Sequence, residues 1–138
     1  MLHATEAALV FVGGAVGSGL RFGTLRAGTK LGLYASSALG ILNLTGCLCA
    51  GIAAETVARS GLFGLAPPLA QSVFIGGVLG GYTTVSAVSI ECATAEEGPQ
   101  RRRVLLEAGL TLILAAPTVR LGMGLASTVA ALVAGSGT

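Results

Sequence analysis

Aspartate and tryptophan are absent from this sequence, histidine occurs once, and charged residues make up only 10% of 138 positions. With no aspartate and a single imidazole at His3, no nucleophile stands at a useful spacing from a base, so an enzyme is the least expected class. The missing tryptophan removes the usual aromatic belt of a membrane protein. Aromatics stand at 4% while glycine reaches 22 residues, so helices are expected to pack through small side chains. Eight Lys and Arg against six acids leave a net charge of +2, which by itself argues neither for nor against nucleic acid; none is expected as a partner.

Apolar length is what the chain has. Hydrophobic residues make up 53% and mean hydropathy is +0.85, outside the range of soluble domains. Four apolar segments, 4–25, 33–54, 68–92 and 104–126, each approach the ~20 residues that cross the ~30 Å hydrocarbon core. The expectation is an all-α membrane protein, one domain of four transmembrane helices spanning 1–138 in the lipid bilayer. The apolar run from Ala7 follows no positive leader and continues into a glycine-rich span, so the first segment is expected to stay as a helix. Cys47, Cys49 and Cys92 show no metal-site spacing and read as small apolar packing residues.

Each segment carries a polar feature. In the first, Gly13, Gly17 and Arg21 share one stripe, with Arg21 either snorkelling to the interface or holding a carboxylate or helix end in a vestibule. In the second, Ser36, Gly40, Asn43, Cys47 and Gly51 share a face. Asn43, the sole asparagine, serves either as a helix–helix hydrogen bond or as a donor into a permeation path.

The third segment holds GGVLGGYTTVSAVSIE at 76–91, two glycine pairs followed by Thr83, Thr84 and Ser86 and closed by Glu91. Glycine lowers helix propensity, so this helix is expected to be broken at its centre, offering carbonyls, amides and hydroxyls to an ion. In the fourth, Thr111, Ala115, Thr118, Gly122 and Ala126 form a small-residue stripe, Pro117 is expected to kink the helix, and Arg120 to snorkel from the opposite face. Residues from Ser127 onward extend this helix or fray.

Residues 55–67 read as a linker carrying Glu55 and Arg59, and 93–103 as a solvated loop with Glu96 and Glu97 followed by Arg101, Arg102 and Arg103. Loops one and three share Arg26, Lys30 and the arginine triplet, whereas loop two has Arg59 alone. Positive charge stays cytoplasmic, which predicts both termini outside.

FVGGAVGSGLRF at 11–22, LGILNLTG at 39–46 and FIGGVLGGYTTVSAVSIE at 74–91 together resemble the signature regions of the Fluc, or CrcB-type, fluoride channels, and the likeness covers all four spans in order. The resemblance implies a cell-membrane protein that exports fluoride passively. It also implies an antiparallel dimer with two narrow pores and a structural sodium ion at the dimer axis, held by backbone carbonyls that correspond to Gly80 and Thr83. By the same resemblance Asn43 is the pore-lining asparagine, Arg21 the vestibule arginine, Thr84 and Ser86 the hydroxyls of the third span, and Glu91 the acid that closes the motif.

Fluoride is small and strongly hydrated, so compact amide and hydroxyl donors suit it. The chain departs from the family where two pore phenylalanines are usual: it has Val85 and Val88. The fourth span offers only Thr111 and then Ala115 where the family is often more polar.

An antiparallel dimer needs an oppositely inserted mate, which a chain biased to one orientation supplies poorly. A heterodimer with a second, similar chain carrying the phenylalanines is therefore expected over a homodimer. The alternatives are a small proton-coupled multidrug or guanidinium exporter, for which Glu6 at the very start of the first helix is the only candidate carboxylate, and a non-conducting partner subunit of a fluoride channel.

Overall fold

The computed structural model describes residues 2–60, 67–95 and 97–135. Helix α1 covers Leu2–Lys30 and α2 covers Ala35–Ser60. A third span begins with α3 at Pro67–Ala70, widens into a π-helical segment at Gln71–Leu79 and narrows again into α4 at Gly80–Tyr82. It resumes as α5 at Val85–Thr94, and α6 covers Pro99–Gly135. No strand occurs among the described residues, and four stretches, Ala4–Lys30, Ala35–Arg59, Pro68–Thr94 and Pro99–Gly135, are long and apolar enough to cross a membrane.

The outside of the chain is as apolar as its interior. Phe11 and Ile113 are 79% and 72% exposed, while Leu42 is the one large side chain wholly enclosed among the described residues. Helices that are apolar all round belong in lipid, where such exposure is not penalised. This is a multi-pass membrane protein.

The helices outrun the apolar segments that announce them. Arg26 and Lys30 lie inside α1, which is closed off by a turn through Gly32 at φ 81°; the Leu33 N–H reaches back to the Gly28 carbonyl at 3.0 Å and the Gly32 N–H to that of Thr29 at 3.1 Å. Those two bonds satisfy carbonyls at the helix end, and the positive φ suits glycine. Glu55 and Arg59 belong to α2 rather than to a linker, because they pair one turn apart, Nε to Oε1 at 2.7 Å, and neutralise each other on the helix surface. Residues 61–66 of that linker, and Glu96 of the next, lie outside the described residues.

Helix α6 starts at Pro99, where proline fits the first turn, and so takes in Arg101, Arg102 and Arg103. It continues past Pro117 and through Ser127 to Gly135.

Two tight pairings organise the bundle, α1 against the π segment and α4, and α2 against α6. A Cβ on Gly17 would collide with the Val78 carbonyl oxygen, and one on Gly51 with that of Val119. Backbone therefore lies on backbone in both pairs, which is how helices cohere where no hydrophobic effect separates them from lipid. The same contact explains why both glycine pairs of the third span stay helical: Gly77 and Gly81 are pressed against Val10 and Gly14 of α1.

Candidate permeation site

Thr83 and Thr84 are the residues of the third span with extended backbone, at φ −84° ψ 152° and φ −158° ψ 128°. Extended residues inside an apolar span lose their helical hydrogen-bond partners and need others. Asn43 supplies them. Its Oδ1 accepts the Thr84 N–H at 3.1 Å and its Nδ2 donates to the Thr84 carbonyl at 3.3 Å. The hydroxyl of Thr84 pairs with that of Ser86 at 2.8 Å, and both the N–H and the hydroxyl of Thr83 donate to the Leu79 carbonyl at 2.9 Å.

This junction opens onto a groove of about 900 Å3 between α2, the third span and α6. Asn43, Thr83, Thr84, Val85, Val88 and Thr111 line it, so most of the residues singled out in the sequence meet on one surface. Cys47 and Cys92, both half-buried, line it too, while Cys49 is exposed. Ser86 is exposed and is not among the lining residues, its contact with the groove passing through Thr84. Arg21 is half-buried on α1, a helix that contributes nothing to the groove, and Gly80 is exposed on α4. Tyr82 turns away, with its hydroxyl 3.4 Å from that of Thr45.

Glu91 lies beyond the groove. It lines a small cavity of about 10 Å3 with Val88, Thr111, Ser36 and Glu107, and a wider one of about 350 Å3 with Ser36, Tyr34 and Arg103. Sequence reasoning missed this end of the molecule. Glu107 accepts from Ser37 Oγ at 2.9 Å and from Arg103 Nε at 2.8 Å, Arg103 Nη2 donates to Ser37 Oγ at 3.3 Å, and the guanidinium lies 3.8 Å from the centre of the Tyr34 ring. The i, i+4 spacing of Arg103 and Glu107 was the available signal. Glu6, the carboxylate considered for an exporter, accepts from Ser72 Oγ at 2.7 Å.

With both threonine amides engaged, the second N–H of the Asn43 carboxamide and the Thr84–Ser86 hydroxyl pair are the donors left for a compact anion at this irregular point of a membrane helix, and extended backbone there can offer carbonyls to a hard cation. Among the described residues no group of three or more His, Cys or acidic side chains is placed to hold a metal. The oxygens this junction offers are backbone carbonyls, the Asn43 carboxamide and the Thr83, Thr84 and Ser86 hydroxyls.

Sequence comparisons agree with that chemistry. The profile of the family described as CrcB-like protein, Camphor Resistance (CrcB), matches residues 8–134. A protein of Hyphomonas neptunium named fluoride-specific ion channel FluC is 34% identical over 119 residues, which cover 86% of this chain and 92% of that one. A protein of the same name from Methylobacterium sp. is 35% identical over 103 residues, 73% of this chain and 80% of its relative. One from Ruegeria sp. is 35% identical over 118 residues, 83% and 88% of the two chains. No solved structure matches the chain.

Proposed function

The chain belongs to the CrcB-like family, and we propose that it is a subunit of a fluoride-specific ion channel that lets fluoride leave the cell passively across the plasma membrane. The observation that carries the reading is the Asn43–Thr84 junction, which brings a carboxamide and a threonine hydroxyl to the wall of the groove. Thr111 faces them from α6, while Val85 and Val88 occupy the places of the family's phenylalanines. Arg21 and Glu91 stand as vestibule residues outside the groove, and Ser86 supports Thr84.

A structural sodium ion is part of the same proposal. Asn43 holds the Thr84 N–H, which in an unbroken helix would go to the Gly80 carbonyl four residues back, and the extended Thr83 turns its own carbonyl out of the helical direction. The Gly80 and Thr83 carbonyls are hard oxygen donors of the kind sodium takes, and the ion would supply a fixed positive charge between two subunits.

One subunit leaves the groove open on a side, which supports an antiparallel partner. The basic residues Arg26, Lys30, Arg101, Arg102 and Arg103 on one side support a single orientation with both termini outside. Together with the two valines they favour a heterodimer with a similar chain inserted the other way.

The test is fluoride efflux from liposomes holding this chain alone or with a homologous chain from the same genome, with chloride as control. Fluoride-selective efflux supports the channel, and efflux confined to the mixture supports the heterodimer. Silence from both moves the weight to a non-conducting partner or an exporter.

A further inference from the structure

The three cavities described above share lining residues and so adjoin one another. Val88 and Thr111 belong both to the groove and to the small cavity, and Ser36 and Glu91 belong both to the small cavity and to the wider mouth. At about 10 Å3 the small cavity has room for roughly one water and is the constriction among the three. Glu107 lines that constriction and Arg103 lines the mouth beside it. The two side chains are joined to each other and to Ser37, and the guanidinium is steadied on the Tyr34 ring.

We propose that the three cavities form one anion route in which Glu107 and Arg103 together set the rate of passage, the carboxylate opposing fluoride at the constriction and the guanidinium drawing it into the mouth. The proposal rests on the channel reading. A carboxylate facing an anion route repels its cargo over several ångströms, and a neighbouring cation offsets that field. Glu107 is half-buried between α2 and α6, with its Oε1 on Arg103 and its Oε2 enclosed, so its charge is screened less than that of a carboxylate on an open surface. Removing one partner exposes the other's charge to the ion. The two losses must therefore act in opposite directions, whereas a clasp that merely ties α6 to the start of α2 would be loosened by either.

The experiment measures fluoride efflux from liposomes for the wild type, Glu107→Gln, Arg103→Gln, Arg103→Lys and the Glu107→Gln/Arg103→Gln pair, all in the subunit combination that conducts. Glu107→Gln is expected to speed efflux and Arg103→Gln to slow it, each by roughly three- to tenfold. The double variant is expected to fall between them, and Arg103→Lys to recover most of the loss of Arg103→Gln. Changes in the same direction, or no change in either, overturn charge control.

A second arm does not depend on flux. Glu107→Cys, in a chain whose Cys47, Cys49 and Cys92 are replaced by alanine, is treated with a charged, water-soluble thiol reagent and compared with Leu42→Cys in the enclosed core. Labelling at 107 alone supports a wet constriction, and no labelling in a chain that conducts overturns it while leaving the channel reading intact. Labelling at 107 together with no fluoride efflux from the unsubstituted chain, alone or mixed, overturns the channel reading, and charge control with it.

Discussion

Asn43 of α2 grips both polar backbone groups of Thr84, accepting its N–H at 3.1 Å and donating to its carbonyl at 3.3 Å. The carboxamide thus replaces the hydrogen bonds that an extended residue forfeits inside an apolar span, and it still lines the groove.

Asn43→Ala leaves both groups without that partner, at a cost of about 1–3 kcal/mol. It is expected to lower the thermal midpoint in detergent and to abolish fluoride efflux from the conducting combination. Unchanged efflux would assign this chain a scaffolding part instead.

Val85 and Val88 line a groove with room for larger side chains. An aromatic ring presents a positive edge worth about 0.5–1.5 kcal/mol in a suitable contact. Val85→Phe with Val88→Phe is therefore expected to raise fluoride efflux roughly threefold to tenfold without admitting chloride. A fall in efflux would show that the valines are fitted to the partner's side chains.

Gly51 meets the backbone of α6 directly, while Gly23 of α1 has open space where a side chain would go. Gly51→Val is expected to destabilise the fold by about 2 kcal/mol or more through the forced separation of α2 and α6. Gly23→Val is expected to change little. Thermal unfolding of the two variants side by side checks the contrast.

Replacing Arg26, Lys30, Arg101 and Arg102 with alanine leaves Arg103 on one side against Arg59 on the other, which removes the charge bias. The variant is expected to insert in both orientations, seen as a cysteine at the N-terminus becoming accessible to an impermeant reagent from either side of the membrane. Retention of one orientation would mean that something other than the basic loops directs insertion.

The existence and order of the four spans could be read from apolar length, because lipid demands little else of a sequence. Their ends could not. Arg26, Lys30, Glu55 and Arg59 look like loop residues, yet turns continue through them when a glycine cap or an i, i+4 pair satisfies the helix.

Within the site, Asn43 and Thr111 were visible as polar residues on small-residue helix faces, Thr84 in the hydroxyl run after the glycine pairs, and Val85 and Val88 only as departures from the family the motifs resemble; the groove unites them. The glycine pairs drew attention to the neighbourhood through weak helix propensity, but contact with α1 keeps them helical and the extended backbone falls on the threonines. Glu107 escaped notice because an acid four residues after an arginine resembles a surface pair. Only the fold brings Ser37 of α2, and Tyr34 just before it, to that pair.

Helix α6, at 37 residues, is roughly 55 Å long, well beyond the ~30 Å of hydrocarbon. Even leaning by about 40°, the upper end of the usual range, it still extends through roughly the full 40–45 Å that includes the headgroups. Its two ends therefore reach opposite headgroup layers. Since α2 packs on α6 backbone to backbone, Asn43 and Thr111 belong to one stiff pair as long as the membrane is thick, and the groove is a seam between that pair and the third span.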